Sequence, residues 1–312
     1  MDIERAVVDL ANSIKTAIVP HLGEQSAKRL TGKTASGDES FAIDDVAEQV
    51  IGDFVRGHEL PLAYYTEGCG LVSHPRAEHV LVIDPIDGSR PAMHGFEPCV
   101  ISIAVGPNSP DARMADVSFG CILEIKGDLL FTAERGGRTI IRAGEASPPL
   151  RLTSTTDLDV CSWSFEVAGR PMRPTAQALA SLVDRSSLRG GVFVFSSTAF
   201  SLTRLVTGQL DAVVDIGNRL LRDCPGLRGD FIEAGLGSVI GLFPYDIAAA
   251  ALIAESAGCV VTDAYGGSLG PTALLDTSEA NIQSCIAASN LVLHEKLLAE
   301  IEAGMRAVKP ST

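Results

Sequence analysis

A chain of 312 residues, 46% of them hydrophobic, can bury a sizeable core as two ordinary domains or one large layered unit. Its net charge of −14 argues against nucleic acid as the main partner, because phosphate backbones attract basic surfaces. No apolar run approaches membrane-spanning length, and Met1-Asp2-Ile3-Glu4-Arg5 lacks a basic region followed by an apolar one, so neither a membrane partner nor an export signal is expected.

Ile3, Val7, Leu10, Ile14 and Ile18 recur at helical spacing and stop at Pro20, which predicts an amphipathic first helix. A polar stretch follows from about Gly23 to Ser40. The next helix starts near Asp44-Asp45 and carries Val46, Val50 and Phe54 on one face. Pro61 to Tyr65 reads as a strand running into Thr66-Glu67-Gly68. Val80-Leu81-Val82-Ile83 is a second, buried strand, and it ends in Asp84-Pro85-Ile86-Asp87-Gly88-Ser89. Strand-like runs continue at Val100 to Val105, Val117 to Leu123, Leu129 to Ala133 and Thr139 to Arg142, with Lys126-Gly127-Asp128 and Gly136-Gly137 as turns. The first half therefore reads as two helices beside a largely antiparallel sheet.

Glu145 to Pro149 reads as a connector. Strand and helix patterns then alternate: Val160 to Phe165, Thr175 to Val183, Gly191 to Phe195, Ala199 to Val206 and Asp211 to Asp215. Ile247 to Ala257, Cys259 to Thr262, Cys285 to Ala288 and Leu291 to Ile301 continue the alternation, as expected of a sheet layered with helices. Seven scattered cysteines, never spaced as CxxC, read as reduced thiols of a cytoplasmic protein.

Asp84 and Asp87 sit at the carboxyl end of a buried strand, where ligands commonly gather in layered α/β proteins. Carboxylates this close repel each other unless a cation lies between them, and hard divalent ions prefer such oxygen ligands. An acidic surface turn is the plain alternative, since Asp, Pro, Gly and Ser all form turns. Glu67 also follows a strand. Asp44 and Asp246 open helices, where an Asp is ordinarily a cap. Taken together, the acids match a multi-metal phosphoesterase site. Hydrolysis of a phosphate monoester needs an acceleration of up to ~10²¹-fold, more than one hydrogen-bond donor provides. Bound metals would also reverse the local sign of an acidic protein toward an anionic substrate.

Asp84-Pro85-Ile86-Asp87-Gly88-Ser89 with His94-Gly95 resembles the first signature of the inositol monophosphatase family, whose relatives include fructose-1,6-bisphosphatases and nucleotide 3′-phosphatases. Tyr245 to Ala250, running through Glu255-Ser256-Ala257-Gly258 to Asp263, is similar to the second. The likeness extends in order over nearly the whole chain, through Lys33, Asp38, Asp44, Glu48, Thr66-Glu67, Leu130 to Ala133, Ser197-Thr198-Ala199 and Ile286 to Ser289.

The resemblance implies a five-layer α-β-α-β-α sandwich of mixed α and β structure, in two halves (residues 1–155 and 156–312) that share the site. It implies a Mg²⁺-dependent phosphatase acting on a small anionic phosphate ester, a homodimer, and inhibition by Li⁺. Glu67, Asp84 and the Ile86 carbonyl would hold one Mg²⁺; Asp84, Asp87 and Asp246 a second; Glu67 a weaker third. Ser89, paired with Asp44, would orient and deprotonate the attacking water. The Gly88 and Ser89 amides would cradle the phosphate. Ser197, Thr198, Asp87 and Asp215 would complete the substrate site.

Departures from the family pattern bear on specificity. Arg90-Pro91-Ala92 follows Ser89 where a Thr-Asn-Phe-like stretch is usual, Gly68 replaces a second acid, and Ile216 to Phe243 intervenes before the second signature. The shorter Asp215 stands where Glu is usual. A bisphosphatase would need basic residues for the second phosphate, from Arg90 or from Arg219, Arg222 and Arg228 of the intervening segment. A 3′-phosphonucleotide phosphatase would need an adenine pocket. The rival of another class is a non-catalytic regulatory protein that kept the fold.

Overall fold

The computed structural model describes residues 2–58 and 61–308. Helix α1 (Ile3–Ile18) forms where the apolar spacing predicts it; Asp2 caps it by accepting from the Glu4 N–H at 3.2 Å. The polar stretch after it folds into an antiparallel hairpin, β1 (Leu30–Lys33) and β2 (Glu39–Phe41). Periodicity does not reveal this hairpin because neither strand is buried. Then come α2 (Ala42–Gly57), β3 (Leu62–Thr66), β4 (Gly70–Val72), β5 (His79–Asp87), the short α3 (Ser89–Met93), β6 (Val100–Pro107), β7 (Phe119–Glu124), β8 (Leu129–Glu134) and β9 (Ile140–Ala143).

The remainder alternates as expected: β10 (Ser162–Phe165), α4 (Met172–Ser186), β11 (Gly191–Phe193), α5 (Thr198–Val206) and β12 (Ala212–Asp215). The segment intervening before the second signature is helical, with α6 (Gly217–Asp223) and α7 (Arg228–Ala234). After it come α8 (Pro244–Ala257), β13 (Val260–Thr262), β14 (Cys285–Ala288) and α9 (Leu291–Ala307).

Seven strands form one sheet in the order β4-β3-β5-β6-β7-β8-β9, antiparallel except where β3 runs parallel to β5. Five form the other, β11-β10-β12-β14-β13. Side chains alternate along β5, so the two faces are separated by parity. Leu81 and Ile83 join a core with α1 and α2, while Val80 and Val82 join a core with α5 and α8. A third core packs α4 and α9 against the far face of the five-stranded sheet. The architecture is an α-β-α-β-α sandwich.

Helix α8 is buried from Ile247 to Ala254 without a polar stripe, as a helix in a middle layer must be. Its alanines allow close approach: a Cβ at Gly120 of β7 would lie 2.9 Å from the Ala249 carbonyl oxygen. All seven cysteines are free thiols, and five are buried. Among the described residues no helix is long and apolar enough to cross a membrane.

Candidate active site

The parity that sends Val80 and Val82 toward α8 sends Asp84 the same way. In a regular strand Asp87, three residues on, would face the opposite side. The register shows why it does not: Asp84 pairs with Ser102 and Asp87 with Val100, three steps on β5 against two on β6. One extra residue makes a β-bulge, which re-aims the strand end and accommodates Pro85, a residue with no ladder donor. Inside the bulge the Ile86 N–H donates to Asp84 Oδ1 at 3.0 Å.

Gly88 then takes φ +96°, a left-handed conformation that favours glycine. A Cβ there would also meet the Pro98 carbonyl oxygen at 2.5 Å. Gly88→Ala is therefore expected to lower stability by on the order of 3 kcal/mol. Urea unfolding measures this, and a midpoint equal to that of the unaltered protein would refute the strain argument. Helix α3 has only five residues, so its dipole adds little to the Gly88 and Ser89 amides.

Asp246 occupies the first turn of α8, and its Oδ2 accepts from the Phe243 N–H at 2.6 Å. Asp44 does the same in α2, its Oδ2 accepting from the Phe41 N–H at 2.8 Å. Each is therefore a helix cap, with one oxygen left over. The spare oxygen of Asp44 accepts from the Ser89 hydroxyl at 2.8 Å. Capping and site use are compatible because a carboxylate has two acceptor atoms.

One oxygen from each of Asp84, Asp87 and Asp246 lies within 4.8 Å of the other two. Glu67, at the end of β3, lines the same cleft, together with Asp44, Ile86, Gly88, Ser89, Ser197 and Thr198. The turn carrying Glu67 is held by Glu48, which accepts from the Thr66 hydroxyl at 2.9 Å and the Gly68 N–H at 3.1 Å.

Burial, then repulsion from Glu67, Asp87 and Asp246, pushes the Asp84 carboxyl well above its usual range. Burial followed by Asp246 does the same to Glu67, and burial followed by Asp87 to Asp246. Asp87 is pushed up only to about 6, because the Ser197 hydroxyl and the Ala199 N–H donate to it at 2.8 and 2.5 Å. Four mutually repelling, oxygen-only donors in one cleft fit a hard divalent cation.

Asp215 is placed differently from the expectation. It does not line the cleft; its carboxylate is buried in an ion pair with Arg170 and accepts from the Gly217 N–H at 2.8 Å. Its short side chain is consumed inside the protein, and Glu166 and Arg170 face the cleft instead. Glu166 directly follows β10, as Glu67 follows β3. The rule that strand ends gather ligands, applied to Phe165-Glu166, would have found it.

Of the four arginines expected to serve a second phosphate, three are committed to carboxylates. Arg219 pairs with Glu302 and Asp223, and Arg228 with Glu279; neither lines the cleft, nor does Arg222. Arg90 does line it and pairs with Asp38 at 2.9 Å. The segment from Ile216 to Phe243 borders the site through Ile240, Gly241 and Leu242. It also grips the hairpin, since Lys33 donates to the Leu236 carbonyl at 3.1 Å and to the Ser238 hydroxyl at 3.3 Å.

Residues 4–306 match the inositol monophosphatase family. The chain belongs to that family. Among relatives, it is 26% identical over 303 residues to a fructose-1,6-bisphosphatase/inositol-1-monophosphatase of Methanothermobacter thermautotrophicus, covering 95% of each chain. It is also 26% identical over 274 residues to inositol monophosphatase 2 of Homo sapiens, covering 85% of this chain and 81% of that one. An IMPase of Thermotoga maritima shares the fold with a TM-score of 0.71 at 20% identity, over 99% of this chain and 100% of the other. An inositol monophosphatase family member with phosphatases as relatives over its whole length is a phosphoric monoester hydrolase.

Proposed function

We propose that this cleft hydrolyses a small phosphate monoester with Mg²⁺ held by Glu67, Asp84, Asp87, Asp246 and the Ile86 carbonyl. The observation that carries this is the convergence of three carboxylates within 4.8 Å, from β5 and from α8, beside a Ser89–Asp44 pair. Two ions suit this donor set, with Glu67 available to hold a weaker third. Bound Mg²⁺ supplies positive charge to the phosphate oxygens and acidity to a coordinated water.

The protein's own groups do the rest. Ser89 donates its proton to Asp44, which leaves the hydroxyl oxygen free to accept from the attacking water and orient it. Asp44, pushed up to about 6 chiefly by burial, is poised to receive that proton. Gly88 and Ser89 line the cleft, and their amides would cradle the phosphate. Ser197 fixes Asp87, and through it the strand end.

Phosphate release from a panel of sugar, polyol and aryl phosphates, in Mg²⁺ and after chelation, tests the reading. Turnover only with the cation supports it; equal turnover in chelator refutes it. Ser89→Ala is expected to lower kcat roughly 10²-fold with KM little moved, and Ser89→Thr to keep activity because it keeps the hydroxyl. Full activity in the alanine variant would remove Ser89 from the chemistry.

A further inference from the structure

We propose that Glu166 and Arg170 select the substrate's non-reacting part, binding one of its hydroxyls and disfavouring a second phosphate. The inference rests on the phosphatase reading of the same cleft and concerns what that cleft accepts. Glu166 lines the cleft and is only 7% exposed, yet its buried Oε1 has no hydrogen-bond partner among the described residues. A buried carboxylate without a donor costs stability, and a protein carries that cost where a ligand relieves it.

Its neighbour Arg170 is equally telling. One terminal nitrogen donates to the Ala168 carbonyl at 2.6 Å and the other pairs with Asp215, which leaves a buried Nε–H with no acceptor. Arg170 is not paired with Glu166 within 4.0 Å, although its charge acts on that carboxyl. Two residues that line the cleft thus hold an unused acceptor and an unused donor. A hydroxyl answers both, because it donates once and accepts as well.

Charge separates this from a second anion. Among the described residues only two basic side chains line the cleft, Arg90 and Arg170, and each is matched by a carboxylate, Asp38 or Asp215. Whether Glu166 is ionised or neutral, this wall has no positive charge to spare. A second phosphate entering here would lose its hydration without gaining a cation. The relative from Methanothermobacter is named for both a bisphosphatase and a monophosphatase activity; the wall of this cleft favours a hydroxyl-bearing monoester.

The test compares kcat/KM in Mg²⁺ for an inositol monophosphate, fructose 1,6-bisphosphate and p-nitrophenyl phosphate, in the unaltered protein and in Glu166→Met, a side chain of similar length without the oxygen acceptor. The unaltered protein is expected to prefer the monophosphate to the bisphosphate. In the variant, the ratio of inositol ester to aryl ester is expected to fall roughly tenfold to a hundredfold, the scale for leaving a buried hydroxyl without its acceptor. That ratio is insensitive to the fraction of variant that folds, so a folding defect cannot imitate the result. A merely structural Glu166 would lower the urea midpoint and leave the ratio unchanged, which overturns the proposal. Preference for the bisphosphate overturns it too. If the unaltered protein hydrolyses none of the three esters, the phosphatase reading itself falls and takes this inference with it.

Discussion

Asp84→Asn is expected to lower phosphate release by roughly 10³-fold or more, several kcal/mol of transition-state stabilisation. The same change is expected to make the metal-free protein more stable. Both follow from one environment: Asp84 is 3% exposed, and its carboxyl is pushed up by burial and then by Glu67, Asp87 and Asp246. An amide of the same shape keeps an acceptor for the Ile86 N–H and removes the repelling charge. What it loses is the anionic oxygen that a divalent ion requires. Urea midpoints in chelator and phosphate release in Mg²⁺ give the two readings. Retained turnover would end the metal-site assignment, and a midpoint below that of the unaltered protein would end the repulsion argument.

Stability of the whole protein is expected to depend on pH in opposite directions with and without Mg²⁺. Asp44 and Asp87 are both pushed up to about 6, against about 3.9 for an unfolded Asp. A carboxyl raised on folding binds more protons in the folded state, so its contribution is complete below the unfolded value. It is lost as pH rises through the folded value. Metal-free protein should therefore weaken between about pH 4 and 6, by up to about 3 kcal/mol for each such group. Mg²⁺ binds the ionised form, so in its presence the gain should grow with pH, reaching ~2.7 kcal/mol at a hundred times Kd. Urea unfolding across this range, in chelator and in millimolar Mg²⁺, checks both arms. Parallel curves would mean that no cation binds the cluster.

Much of this molecule is legible in the residues, for reasons that differ by element. Helices α1 and α8 announce themselves because one buries a stripe and the other buries every side. Asp84 and Asp87 stand out by their neighbours, but the bulge that turns both toward one cleft leaves no mark in periodicity. The hairpin β1–β2 is missed because neither strand is buried, so no alternation is imposed on it. Asp215 was expected at the substrate. Only a structure shows that Arg170, distant in sequence, claims it first. Glu166 is legible by position, since it follows its strand as Glu67 follows β3.

Asp84 and Asp87 end a strand of the seven-stranded sheet, Asp246 starts a helix wedged between both sheets, and Ser197 fastens Asp87 to a third element. No contiguous stretch of polypeptide contains the proposed site, so it cannot be moved to another scaffold as a cassette. Cutting the chain anywhere between Asp87 and Ser197 would yield two inert fragments, and only their reassociation would restore turnover.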